Sequence, residues 1–138
     1  MRKTFTAVNE SALIEPARFI LSNVKAEVFL LKGTLGSGKT AFVRQFASLF
    51  DIRGVTSPSF TIINNYSAGN TTIVHIDLYR ILENERAESL HFEELIESAD
   101  YTFIEWPGSR GEALKSIYDV AELEFEYLEN SRRITVIY

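Results

Sequence analysis

Glu27-Val28-Phe29-Leu30-Leu31-Lys32-Gly33-Thr34-Leu35-Gly36-Ser37-Gly38-Lys39-Thr40-Ala41-Phe42 is the stretch that decides the fold. Glu27 to Leu31 has almost no polar alternation, as expected of a strand covered on both faces within an α/β sheet. Beyond it, Phe42, Phe46, Leu49 and Phe50 recur at helical spacing and predict a helix starting near Lys39. Between the two stands Gly33, four residues, then Gly38-Lys39-Thr40. Its glycines allow a tight turn in which several N–H groups point inward, while the following helix aims its positive end at the same place. Such a loop cradles phosphates. Lys39 supplies a mobile cation for the β- and γ-phosphates, and the Thr40 hydroxyl is the expected ligand for Mg²⁺, which takes hard oxygen donors. The expected nucleotide contacts run from Gly33, Thr34, Leu35, Gly36, Ser37, Gly38, Lys39 and Thr40 to Ala41.

Working outward, Asn9 is a plausible N-cap for a helix carrying Leu13, Ile14, Ala17, Ile20 and Leu21. Pro16 removes a backbone donor, so the start of that helix lies nearer Ser11 or Glu15. Thr61 to Tyr66 and Thr71 to Asp77 read as an antiparallel hairpin turning through Ser67 to Asn70. Leu82 to Ser98 reads as a polar, Glu-rich helix, and Tyr101 to Trp106 as a further apolar strand. In Ala121 to Tyr127 apolar residues alternate with Glu122, Glu124 and Glu126, placing the carboxylates on a solvent face, and Ile134 to Tyr138 pairs with that strand. The expected fold is α/β: one P-loop domain over residues 1–138, with a mixed, mainly parallel central sheet flanked by helices and extended by antiparallel hairpins.

Bulk properties narrow the function. The 138 residues, 46% apolar, suit one hydrophobic core. Apolar runs are far too short to span a bilayer and no signal peptide is recognisable, so a cytoplasmic location without membrane attachment is expected. With no cysteine, thiolate metal sites and cysteine nucleophiles are excluded. A net charge of −5 argues against a broad basic face for nucleic acid, so little direct RNA binding is expected. The Asn-Lys-x-Asp motif of guanine readers is missing, which favours ATP as the nucleotide.

P-loop enzymes place an acid at the end of a neighbouring strand, to hold Mg²⁺ directly or through water and to orient the attacking water. Two strands end this way, at Asp77 and at Glu105, and strand logic does not rank them. Thr56 to Thr61 is rich in hydroxyls around a proline, a composition suited to a loop sensing the γ-phosphate and equally to a plain turn before a strand. Trp106 can stack on an adenine or ribose or pack in the core. His75, inside an apolar strand with no second ligand nearby in sequence, reads as a satisfied structural histidine. Arg80 has no decided role.

Together these segments resemble the TsaE (YjeE) family, the ATPase component of bacterial tRNA threonylcarbamoyladenosine (t6A) synthesis. The marks are the Gly33 to Thr40 loop, Ser57-Pro58-Ser59-Phe60-Thr61, His75-Ile76-Asp77-Leu78-Tyr79-Arg80 and Glu105-Trp106-Pro107, in family order. The resemblance implies that Lys39 binds phosphate, Thr40 and Glu105 coordinate Mg²⁺, Asp77 belongs to a nucleotide-sensing switch, and Trp106 lies beside the nucleotide. It makes Ser57 to Thr61 a first switch, and Glu10, Ser11 and Arg132 peripheral nucleotide contacts. It also implies a partner, the TsaB–TsaD complex acting on tRNAs that read codons beginning with A. The chain departs from the family at Thr34, where an acid is common, at Ser37, where alanine is common, and at Leu114-Lys115, where Leu-Pro is usual. These departures touch the outer site and leave the phosphate and metal ligands in place. No arginine finger is evident, so the expected activity is slow ATP hydrolysis raised by partners. A small P-loop kinase and a non-catalytic nucleotide-binding module are the alternatives.

Overall fold

The computed structural model describes residues 1–56, 63–78, 91–108 and 110–138. The apolar run after Glu27 forms β2 (Val28–Lys32), buried on both faces as its composition requires. It lies in a seven-stranded sheet with β1 (Arg2–Ala7), β3 (Ile63–Ala68), β4 (Thr71–Asp77), β5 (Tyr101–Glu105), β6 (Val120–Tyr127) and β7 (Arg132–Ile137), in the order β1-β7-β6-β2-β5-β4-β3. The four central strands β6, β2, β5 and β4 are parallel, while β3 at one edge and β7 and β1 at the other are antiparallel additions. The expected class, a parallel centre extended by hairpins, is the observed one.

Among the described residues, α1 (Ile14–Asn23) and α2 (Lys39–Ser48) cover one face of the sheet. Phe42 and Phe46 of α2 meet Phe29 and Phe103 from the central strands, with ring centroids 5.1 Å apart for both Phe29–Phe103 and Phe46–Phe103. Pairs at this spacing add to the burial of large apolar area. The opposite face is built on Val28, Leu30, Val74, Ile76 and Ile104, covered by Ile96 of α3 (Phe92–Glu97) and Leu114 of α4 (Arg110–Lys115). A Cβ on Gly111 would come within 3.0 Å of Leu30 Cδ1, so the missing side chain lets α4 lie close to the sheet.

Some boundaries follow chemistry that periodicity does not carry. Asn9 does cap, its side chain accepting from Ala12 N–H, but the capped turn is a 3-10 turn, Glu10–Leu13, continued by α1. Pro16 falls in the first turn of α1, where a missing N–H is tolerated. The hairpin turns on Gly69 and Asn70 alone. Of the predicted helix from Leu82 to Ser98, only its last part, α3, falls on described residues. Ser57 to Thr61 and Arg80 lie outside them.

The carboxylates of β6 are not a simple solvent row. Glu122 is largely buried and accepts from Lys32 at 3.1 Å and from Lys115, tying α4 to the sheet. Burial alone would raise its pKa, yet the bonds from Lys115 and Lys32 hold it below the ordinary carboxylate value. A lowered folded-state pKa means stability that is present above the ordinary carboxylate range and lost as pH falls through the depressed value. Glu122→Gln is therefore expected to cost on the order of 1 kcal/mol at neutral pH, since the lysines are partly exposed. The difference from the parent should vanish in acid, as followed by urea unfolding at both pH values.

Candidate functional site

Parallel pairing brings the chemistry to one end of the sheet. Asp77 and Glu105 are the last residues of β4 and β5 and pair in register, and Glu105 also lies opposite Leu31, just before the Gly-rich loop. The site thus sits beyond the carboxyl ends of the strands, where α/β sheets bind ligands. A cavity of about 370 Å³ there is lined by Leu35, Gly36, Gly38, Lys39, Thr40, Ala41, Arg44, Asp77 and Glu105.

The loop reaches this geometry through its glycines. Gly33 takes φ 154° and packs so closely that an added Cβ would lie 2.7 Å from both the Phe125 carbonyl oxygen and Ser37 Oγ. Gly38, at φ 112°, is the N-cap of α2, so the helix begins with its free N–H groups at the cavity. Lys39 is 5% exposed, and its ammonium donates to the carbonyls of Gly33 and, at 3.1 Å, Thr34. Burial lowers its pKa, while Glu105 and Asp77 act in the opposite direction.

Trp106 follows Glu105 with a left-handed backbone (φ 58°), a conformation that costs a non-glycine residue about 1–2 kcal/mol. The bend at the end of β5 leaves its indole beside the ammonium, with Lys39 Nζ 4.8 Å from the ring centroid. Trp106 is also partly buried against the core cluster of Leu30, Ile76 and Ile104, so the position combines core packing with a place beside the phosphate cation.

A second cavity, of about 220 Å³, shares Gly36, Gly38 and Ala41 with the first and extends over Ala7, Val8, Asn9, Glu10, Leu13, Ser131 and Arg132. Arg132 donates weakly to Gly36 O at 3.4 Å and lies 3.6 Å over the ring of Tyr127, which is exposed although the alternation of β6 places it with the apolar residues. Glu10 and Arg132 thus meet at the mouth of the loop from distant parts of the chain. Ser11 does not join them: its hydroxyl donates to Asn9 Oδ1.

Two further residues, Arg44 and His75, stand at the site. Arg44 lies one turn beyond Thr40 on α2 and lines the phosphate cavity, donating to Glu10 at 2.6 Å and to Val55 O at 3.2 Å. Its helical offset from Thr40 was the available signal. His75 is not the satisfied histidine its strand suggested. It is fully buried with Nε2 2.6 Å from Glu105 Oε2, and among the described residues neither ring nitrogen has a well-formed hydrogen bond.

Thr40, Asp77 and Glu105 offer hard oxygens around one cavity beside Lys39, a donor set that fits Mg²⁺ carried on a phosphate chain. Among the described residues no group of three or more His, Asp or Glu could hold a metal without such help.

A family model described as "Threonylcarbamoyl adenosine biosynthesis protein TsaE" matches residues 7–135. The chain belongs to the TsaE family. Two relatives named tRNA threonylcarbamoyladenosine biosynthesis protein TsaE agree with that. The one from Rickettsia conorii is 33% identical over 126 residues, covering 88% of this chain and 69% of the relative. The one from Rickettsia felis is 31% identical over 134 residues, covering 94% and 75%. In fold the chain is similar to the crystal structure of the Bacillus protein YdiB, with a TM-score of 0.70 over 99% of this chain and 84% of that one, at 24% identity. TsaE membership places the chain in tRNA threonylcarbamoyladenosine biosynthesis, on a P-loop NTPase-like fold. Among the described residues no helix is long and apolar enough to cross a membrane.

Proposed function

We propose that this TsaE-family protein binds and hydrolyses ATP in support of t6A formation in tRNAs reading codons that begin with A, working with the TsaB–TsaD complex. The observation that carries the reading is the meeting of Lys39, Thr40, Asp77 and Glu105 in one cavity at the N-terminus of α2. Phosphoryl transfer asks mainly for positioning and charge neutralisation. Lys39 exchanges its neutral carbonyl acceptors for charged β- and γ-phosphate oxygens, which adds the attraction of opposite charges to its hydrogen bonds. Loop N–H groups from Gly33 to Ala41 hold the phosphate chain. Thr40, Glu105 and Asp77 would hold Mg²⁺, which would supply charge neutralisation for the phosphate chain. Glu105 or Asp77 also orients the attacking water. Trp106 flanks the nucleotide, while Glu10 and Arg132, in the adjoining cavity, contact its outer part.

The isolated chain hydrolyses slowly, since its sequence identifies no committed arginine finger, and assembly with TsaB–TsaD raises the rate. Hydrolysis then resets the complex and does not itself make the modified base. Glu105→Ala is expected to lower multiple-turnover phosphate release in the presence of TsaB and TsaD by about a hundredfold or more. An unchanged rate would remove Glu105 from the mechanism. Phosphorylated product in a nucleoside and nucleotide screen, without partner-coupled hydrolysis, would make the protein a kinase. ATP binding without turnover in the complex would make it a regulatory module.

A further inference from the structure

His75 is the buried titratable side chain for which the mechanism above has no use. It stands in the middle of β4 opposite Phe103, on the sheet face that also carries Asp77 and Glu105. Its neighbours Val74 and Ile76 are fully buried aliphatic residues, and a third would fill the place without desolvating two ring nitrogens. What distinguishes the position is the 2.6 Å approach of Nε2 to Glu105 Oε2. Two lone pairs at that distance repel, so one of the two atoms must carry a proton, and the imidazole is its natural carrier. Oε2 is sealed from solvent, whereas Glu105 as a whole lines the phosphate cavity. The other carboxylate oxygen is the one left to face it.

We propose that His75 is a positioning residue for Glu105: it donates Nε2–H to Oε2 and turns the remaining oxygen toward Thr40 and Asp77 in the phosphate cavity. This deepens, and rests on, the reading of Glu105 as a Mg²⁺ ligand. A glutamate at a strand end has three rotatable bonds and a competing attraction. Glu105 and Asp77 are both near enough to Lys39 to raise its pKa against the effect of burial. Without His75 the carboxylate is free to fold onto the ammonium, occupying the phosphate cation and the metal ligand together. His75 keeps the two apart. Groups that fix a metal-binding carboxylate in this way typically contribute about 10–100-fold to metal affinity.

The test is equilibrium binding of ADP by calorimetry, with Mg²⁺ titrated and with chelator, for the parent, His75→Met, His75→Gln, Glu105→Gln and the His75→Met/Glu105→Gln double variant. His75→Met keeps the volume but has no donor, and should raise the Mg²⁺ concentration needed for tight binding about tenfold or more. His75→Gln can still donate and should recover most of that loss. In the double variant the loss should not exceed that of Glu105→Gln alone, since both act through one carboxylate. Parent-like Mg²⁺ dependence in His75→Met, or losses that add in the double variant, would overturn the proposal. A loss in His75→Met equally large with chelator and with Mg²⁺ would reduce His75 to packing. Glu105→Gln with parent-like Mg²⁺ dependence would instead remove the metal role of Glu105, and the His75 proposal with it. Should His75→Met not fold, ¹⁵N NMR of the parent decides: a proton on Nε2 that responds to Glu105→Gln is expected, and a proton on Nδ1 contradicts it.

Discussion

Lys39→Ala is expected to abolish measurable ATP binding while the protein remains folded. The Lys39 side chain brings a buried cation to the end of α2 in the cavity that also holds Thr40, Asp77 and Glu105. Each hydrogen bond from an ionised donor contributes about 1.5–3 kcal/mol. Two such bonds to phosphate oxygens correspond to a loss of about two to four orders of magnitude in affinity when removed. The fold does not depend on them, because among the described residues the hydrogen-bond acceptors of Lys39 are carbonyls of its own loop, Gly33 and Thr34. Removing a cation whose burial already lowers its pKa also relieves a desolvation cost. Lys39→Met keeps the aliphatic stem beside Trp106 and should lose binding to a similar degree, which separates charge from packing. Calorimetry gives the affinity and circular dichroism the fold. Undiminished affinity in either variant would remove the phosphate role of Lys39.

Gly33→Ala should be the most damaging small substitution in the loop. The backbone at φ 154° is strained for any L side chain, a cost of about 1–3 kcal/mol. The new Cβ would also sit 2.7 Å from the carbonyl oxygen of Phe125 and 2.9 Å from its Cβ. Phe125 belongs to β6 and is part of the core under α2, so it cannot withdraw without opening the sheet. Overpacking of this kind adds about 1–3 kcal/mol. Gly36→Ala is the internal control. Gly36 has φ 77°, but a Cβ added there would meet nothing within 4 Å, so backbone strain of about 1–2 kcal/mol is its whole expected cost. Urea unfolding should therefore rank Gly33→Ala well below Gly36→Ala in stability. Equal losses would mean that the loop is not anchored on Phe125.

The parts of the fold and site legible in the sequence were those whose signal is local. Val28 to Leu31, the loop and the stripe Phe42 to Phe50 are contiguous, so strand, phosphate loop and helix could be read together, and the strand ends delivered Asp77 and Glu105 with them. What escaped depends on neighbours distant in the chain. β1 is a polar edge strand, Arg-Lys-Thr-Phe-Thr-Ala, that exists by pairing with β7. α4 has six residues and is held by Leu114, Gly111 and the Lys115–Glu122 pair, none of which gives a helical stripe. Glu122 looked like a solvent-facing carboxylate because alternation reports which face a residue takes, not what covers that face. His75 looked self-contained because its partner comes from another strand. Glu10 and Arg132 follow only from family resemblance, since spacing cannot show that β7 and the 3-10 turn close on the same loop.

The most direct test of the central claim is phosphate release from ATP by this protein alone and with the TsaB–TsaD complex, under multiple turnover. Slow release alone and a marked rise on adding the complex, absent with Lys39→Ala, is the predicted result. The same slow rate with and without TsaB–TsaD, in a preparation shown to bind ATP, would contradict partner-controlled hydrolysis.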